Sequence, residues 1–239
     1  MTDSLDTIAA PADPLDTTIP GIAVSVDATA VRVSSLWPLR VLSSALVGGG
    51  SGETCEIVNM HVDDVAPDSS PERDLRTFAA RLGIAEPFVG LMTAADTEHA
   101  RLAVAAEGAL TVAAIVSVGL SNTVCAGVTA PAPPAPGTIN VIVLLDAGLT
   151  PAAMVNTVIT ATEAKTMALA EWQVKDASGA PASGTSTDAV VVACTERGAP
   201  LDYAGPGTTV GYLVARVVRA AIGRICREKV ARDGGRHGW

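Results

Sequence analysis

Aromatic side chains are scarce in this sequence. Phe, Trp and Tyr make up 3% of 239 residues, histidine occurs three times, and the four cysteines form no CxxC pair. With so few rings, the core must rest on Ala and Val. Such small side chains bury little area each and cohere only through many close contacts. No HExxH or His-x-His spacing is present, so a zinc-type ligand set is not expected, and "HVDD" (His61 to Asp64) reads as a surface turn. "GGGSGE" lacks the GK[ST] of a phosphate loop, and no Gly-x-Ser-x-Gly elbow occurs. Lys and Arg number 16 against 25 Asp and Glu, a net charge of -9, which argues against nucleic acid as partner. No apolar run approaches the ~20 residues a membrane helix needs. The N-terminus has neither a basic segment nor an apolar stretch of signal-peptide type. These absences lead us to expect a reduced, cytoplasmic protein with no membrane partner, in which Cys125, Cys194 and Cys226, set in apolar runs, are small buried residues.

What is present is periodic. Residues 1–20, rich in Asp, Thr and Pro, read as a disordered arm, 21–230 as a single domain, and 231–239 as a flexible tail. "IAVSVDATAVRVSS" alternates with period two on both sides of a polar break, as two paired strands do, and more strand material surrounds the glycine-rich turn at 48–52. "SPERDLRTFAARLGI" is a helix with Ser70 as cap, Pro71 in its first position and Gly83 as stop. "FVGLMTAA" and "LTVAAIVSVGL" suit buried strands, and "VTAPAPPAPG" is a loop. From about 138 to 195 the chain then reads strand ("TINVIVLLD"), helix opened by Thr150 and Pro151, polar connection and strand ("AVVVACT"), a crossover pairing two parallel strands. The final amphipathic helix puts Val210, Leu213, Val214, Val217 and Val218 on one face, its arginines on the other. The expected class is α+β: a mixed β-sheet core with amphipathic helices packed against it.

Two polar constellations stand out. In "ATEAKT", Glu163 and Lys165 lie two residues apart and so cannot face each other on a helix. Glu163 continues a stripe with Asn156 and Thr160, while Lys165 lies in an apolar stripe with Val158, Thr162, Leu169 and Trp172. Each has an ordinary reading, as solvated carboxylate and snorkelling ammonium, and a functional one, as groups facing a cleft. "GTSTD" (184–188) stacks hydroxyls and a carboxylate before a buried strand, as turns and reactive loops both do. "GLSNTVCAG" ends another strand with Ser121 and Asn122, whose amide suits either a turn or an oxyanion.

"LRVLSSALVGGG", "GLMTAA", "GLSNTVCAG", "GTINVIVLL", "ATEAKTMAL", "SGTSTDAVVVA" and "YAGPGTTVGYLVARVVRAAI" occur in this order. In these motifs the chain resembles the adenosylcobinamide amidohydrolase family of corrinoid salvage, over roughly residues 35 to 225. The resemblance implies hydrolysis of the amide joining the corrin side chain to aminopropanol in adenosylcobinamide, giving adenosylcobyric acid and 1-amino-2-propanol. It implies no resident metal or organic cofactor, the cobalt belonging to the corrinoid substrate, and leaves the oligomeric state open, a homodimer included. Within the shared motifs, amide hydrolysis needs a nucleophile, a proton-transfer group and oxyanion donors. Thr185 or Thr187 is the candidate nucleophile or water-positioning group, Glu163 or Asp188 the base, and Lys165 the cation beside it. Asn122 and Asn140 are the candidate amide donors, and with Ser43, Ser121 and Thr138 they make up the candidate substrate contacts. Two other functions remain in view, a non-catalytic corrinoid-binding protein of uptake and an amidase for another small-molecule amide.

Overall fold

The structure is a computed structural model that describes residues 15–63, 70–133 and 137–234. Among the described residues there are ten strands, three α-helices and one short 3-10 turn, Thr97–His99. β1 (Ile22–Val26), β2 (Ala30–Ser43) and β3 (Gly50–His61) precede α1 (Pro71–Arg81). β4 (Val89–Thr93), β5 (Arg101–Glu107), β6 (Leu110–Val118), β7 (Thr123–Val124) and β8 (Ile139–Leu145) lead to α2 (Pro151–Glu171). β9 (Gly184–Thr185), β10 (Ala189–Cys194) and α3 (Thr209–Arg232) complete the order. The main sheet runs β4-β3-β2-β10-β8-β6-β5, with β1 paired to β2, while β7 and β9 form a separate two-stranded ribbon. The expected crossover is present: β10 lies parallel to β8 in the register Ala189 to Asn140, with α2 between them in the chain.

A register shift between Ser34 and Leu39 breaks the β2–β3 ladder. Bulges bend strands and increase their twist, and here the sheet doubles back. Asn59 of β3 hydrogen-bonds Ser117 of β6 and Asn140 of β8, strands well separated from it in sheet order. Val31, Val33, Ile57, Val89 and Leu91 of one half therefore pack on Ala113, Ile115, Ile142, Leu144 and Val191 of the other. The opposite face of the second half, with Val112, Val141, Val143, Val190 and Val192, meets α2 and α3. Leu75 and Ala79 of α1 cover Val58 and Met60 on the outside of the first half. The result is four layers, helix, strands, strands, helices. It explains why "INVIVLL" is apolar throughout: alternate side chains point into two different cores.

The helices follow their sequence signals. Thr150 Oγ1 accepts from Ala153 N at 3.3 Å with Pro151 next to it, and Thr208 Oγ1 accepts from Gly211 N at 3.1 Å. Gly211 is where α3 presses on the loop before it, since a Cβ there would collide with the carbonyl oxygen of Gly205. Ser70, by contrast, contributes no side-chain cap to α1.

Three expectations need correction or completion. Of the arm, residues 1–14 lie outside the described residues, but 15–20 are packed: Leu15 N donates to Val24 O at 2.8 Å, and Ile19 is buried in the inter-strand core. Sparse apolar residues were enough for docking because an edge strand offered them free backbone partners. Cys125 is half-exposed on the turn after β7, unlike Cys194 and Cys226, which are buried. β5 had no expectation, because "RLAVAAE" pairs with β6 along one edge and buries only part of each face. Of the tail, α3 reaches Arg232, and 235–239 fall outside the described residues.

Leu144 is fully buried between the two strand layers. Leu144→Ala is expected to lower the unfolding free energy by about 2–5 kcal/mol, read from the midpoint shift in a denaturant titration.

Candidate active site

Two parallel strands that start side by side bring their preceding residues together. Asp188 immediately precedes β10, and Ile139 opens β8. The amide of Ile139 donates to Asp188 Oδ1 at 3.0 Å. The same oxygen accepts from Thr185 N at 3.1 Å and from the Thr185 hydroxyl. The other carboxylate oxygen, Oδ2, is paired with the Lys165 ammonium. Lys165 reaches it from the sheet-facing flank of α2, a helix whose buried face is built from Ala153, Ala161, Ala164 and Ala168 and so approaches the strands closely. Both partners are withdrawn from water, with side chains 8% and 14% exposed. Gly184 belongs to this arrangement: a Cβ there would strike both Asp188 Oδ2 and Lys165 Nζ.

A second set of bonds fixes the turn that carries Asp188. Thr138 Oγ1 donates to Thr187 O at 2.8 Å, and Thr187 Oγ1 donates to Gly137 O at 2.8 Å. Asn122 Nδ2 donates to Ser186 Oγ at 2.9 Å, and β7 pairs with β9 through Thr123 and Thr185. Behind them runs a buried polar chain. Asn140 donates to Asn59 Oδ1 and to Met92 O, both at 2.8 Å, and Asn59 donates to Ser117 Oγ at 2.9 Å.

The structure thus gathers Lys165, Thr185, Thr187, Asp188, Thr138 and Asn122 around one turn, through bonds that span 23 to 64 residues of chain. It does not gather Glu163. At about 100° per residue, positions 163 and 165 lie about 200° apart on the helix. Burying Lys165 turns Glu163 outward, and its carboxylate is exposed. Asn140 is adjacent but spends both amide hydrogens on Asn59 and Met92, so it has none left for an oxyanion. Ser43 is used locally: its hydroxyl accepts from Ala45 N at 2.9 Å where β2 ends. Ser121 is exposed beside Asn122. His61 closes β3, with Nδ1 3.0 Å from Ala95 O, rather than sitting in a turn.

Asn59, Ser117 and Ser186 were not singled out from the sequence. The first two left a signal, since each interrupts a short apolar run within its strand ("IVNM", "VAAIVSV"). Elsewhere the chemistry is quieter. Burial pushes the thiols of Cys194 and Cys226 up to about 12, which disqualifies both as nucleophiles near neutral pH. Among the described residues, no group of three or more His, Cys, Asp or Glu is arranged to hold a metal ion.

Asp176 anchors the connection between α2 and β9. Hydrogen bonds from the Ser178 and Thr129 hydroxyls, and from the amides of Ala180 and Ser178, hold its carboxyl down from 3.8 to about 2. A depressed carboxylate stabilises the fold above its unfolded value, and that contribution is lost as pH falls through the folded one. Asp176→Asn is therefore expected to remove part of the acid limb between pH 3.8 and about 2, followed by tryptophan fluorescence. Gly184→Ala should wedge apart the Lys165–Asp188 pair and lower the unfolding free energy by about 1–3 kcal/mol, measured by thermal denaturation.

Comparison with known proteins bears on this geometry. The family model described as adenosylcobinamide amidohydrolase matches residues 16–233. An adenosylcobinamide amidohydrolase of Methanosarcina mazei is 34% identical over 185 residues, 74% of this chain and 84% of that protein. One from Halobacterium salinarum is 38% identical over 170 residues, 67% of this chain and 68% of that protein. Among solved structures, a protein from Pyrococcus horikoshii OT3 is similar at a TM-score of 0.47 and 11% identity, over 87% of this chain and 78% of that one. The l-aminopeptidase d-ala-esterase/amidase of Ochrobactrum anthropi is similar at a TM-score of 0.38 and 12% identity, over 86% and 82%. With the family model spanning nearly all of the described chain, this protein belongs to the adenosylcobinamide amidohydrolase family.

Proposed function

We propose that this protein hydrolyses the aminopropanol amide of adenosylcobinamide, and that the Thr185–Asp188–Lys165 cluster does the chemistry. The observation carrying the residue assignment is that the Thr185 hydroxyl donates to the same carboxylate that the Lys165 ammonium neutralises from its other oxygen. A hydroxyl is a weak nucleophile until a base takes its proton, and here the base is already in hydrogen-bond contact.

In the reaction, Thr185 Oγ attacks the amide carbonyl carbon while its proton passes to Asp188 Oδ1. Collapse of the tetrahedral intermediate breaks the C–N bond, and Asp188 returns that proton to the nitrogen of the departing 1-amino-2-propanol. Water then attacks the threonyl ester, giving its proton to Asp188. The alkoxide recovers that proton, Thr185 is restored, and the product leaves as adenosylcobyric acid. Lys165 holds Asp188 in place and balances its charge while the proton moves in each direction. Asn122 keeps the role of a substrate contact at the rim, through its position against Ser186. Glu163 has no role in this scheme, and Ser43 and Asn140 support the frame.

On this reading no resident metal or organic cofactor takes part, and the cobalt arrives with the substrate. The reaction belongs in the cytoplasm, with a corrinoid intermediate as the small-molecule partner. No helix among the described residues is long and apolar enough to cross a membrane.

Incubation of the purified protein with adenosylcobinamide, followed by chromatography, is expected to yield adenosylcobyric acid and 1-amino-2-propanol. A change in the corrinoid spectrum without product would favour a binding protein, and turnover of other amides alone an amidase of different substrate. Asp188→Asn should lower kcat by roughly two to four orders of magnitude, and Thr185→Ala at least as much. Glu163→Gln should leave kcat near wild type. If Thr185→Ala keeps wild-type turnover, the nucleophile is misassigned even though the family stands.

A further inference from the structure

Hydrolysis of an amide places a negative charge on the substrate carbonyl oxygen, which calls for donors fixed in place before the reaction starts. The three members of the cluster are engaged otherwise. Thr185 attacks, Asp188 carries the proton, and the Lys165 ammonium is held on Asp188 Oδ2. Asn140 has spent both amide hydrogens on Asn59 and Met92. The turn between β9 and β10 has donors to spare. Ser186 and Thr187 are exposed, and among the described residues neither backbone amide donates to a protein acceptor. Other polar groups of the same two residues are tied down. Thr187 O accepts from Thr138 Oγ1 at 2.8 Å, Thr187 Oγ1 donates to Gly137 O at 2.8 Å, and Ser186 Oγ accepts from Asn122 Nδ2 at 2.9 Å.

We propose that the backbone amides of Ser186 and Thr187 form the oxyanion hole of this site. The inference rests on the reading of Thr185 as the nucleophile of amide hydrolysis. Ser186 N is bonded to the carbonyl carbon of Thr185, so this donor is carried by the nucleophile itself. As Thr185 Oγ1 bonds to the substrate carbon, the electron pair of the C=O bond moves onto its oxygen. That oxygen lies one bond beyond the new linkage, within the range of the amide that follows the nucleophile. An amide in this position is a general donor for hydroxyl nucleophiles. Asp188 closes the turn by accepting from both the amide and the hydroxyl of Thr185. Consecutive amides of so tight a turn make a concavity that suits an anion.

Exposed turn amides ordinarily bond water and move with their loop. Here the turn is pinned by Thr138, Gly137 and Asn122, all from the chain between β6 and β8, so its amides are held without reorganising. Thr138 and Asn122 thereby act as positioning residues for the hole. The charge balance also fits, because Lys165 neutralises Asp188 and the oxyanion does not form beside an unpaired carboxylate.

Ser186→Pro compared with Ser186→Ala on the full chain tests it, with adenosylcobinamide as substrate. Both variants lose the hydroxyl, but only proline loses the amide hydrogen. Proline suits this position, since Thr185 before it is in a strand and the first central residue of a turn accepts a fixed φ. Ser186→Pro is expected to have a kcat roughly two to three orders of magnitude below that of Ser186→Ala, with little difference in KM. Circular dichroism and thermal unfolding establish that both are folded. A second measurement needs no proline. In 15N-serine-labelled wild type, the Ser186 amide, assigned by its loss in Ser186→Ala, should move downfield when adenosylcobyric acid binds, because the product carboxylate occupies the place of the oxyanion. Equal kcat in folded Ser186→Pro and Ser186→Ala overturns the proposal, and so does a Ser186 amide unmoved at saturating product. If Thr185→Ala is inactive in the same assay, only the oxyanion hole is then misplaced. Full turnover by Thr185→Ala removes instead the nucleophile on which the inference rests.

Discussion

A lysine and an aspartate drawn out of water together lose hydration worth several kcal/mol per ion, and their attraction offsets this only when the remaining lone pairs are also satisfied. The pair formed by Lys165 and Asp188 meets that condition. One carboxylate oxygen takes the ammonium, and the other takes two backbone amides and a hydroxyl. Much of the surrounding architecture serves this arrangement. The amides come from the start of β8 and from β9, and they converge on Asp188 because β10, which follows it, is the parallel neighbour of β8 in one particular register. The ammonium arrives only if α2 packs close, which its alanine-lined face permits. Gly184 then leaves the space that the pair occupies.

Seen this way, the buried polar chain through Asn59, Asn140 and Ser117 has a mechanical meaning. Unpaired polar groups in a β-sandwich core are costly, whereas a satisfied chain ties the two strand layers to a single relative position. Asn140 belongs to the β8 strand that also supplies an amide to Asp188, and its side chain reaches both Asn59 of β3 and Met92 of β4. The layer of β3 and β4 thereby holds the layer that carries Asp188 in place. An amide that looked like an oxyanion donor works instead as a tie, because both its hydrogens are taken.

The crossover between 138 and 195 was legible for simple reasons. Its strands are unbroken apolar runs, its helix opens on a threonine and a proline, and parallel pairing through a helix has essentially one handed solution. The motifs themselves pointed to the family and to the cluster's residue types. The doubling of the sheet was not legible, since a bulge at 34–39 is a small local event with a global outcome. Nor was β5 visible, an edge-lying strand whose side chains are partly exposed.

Residues 163 and 165 mark the boundary between the two kinds of knowledge. Helical geometry, read from the chain alone, placed them on different sides of α2 and required separate explanations for each. It could not say which side met the sheet, because glutamate and lysine both occur on exposed faces and both occur, paired, in interiors. That choice was made by a carboxylate 23 positions later, brought within reach by the return of the chain along β10. The sequence by itself determined periodicity, caps and the inventory of reactive groups, all local properties of the chain. Only the tertiary structure decided which of those groups share one desolvated turn, because that depends on strand register and helix rotation, which are set by contacts remote in the chain.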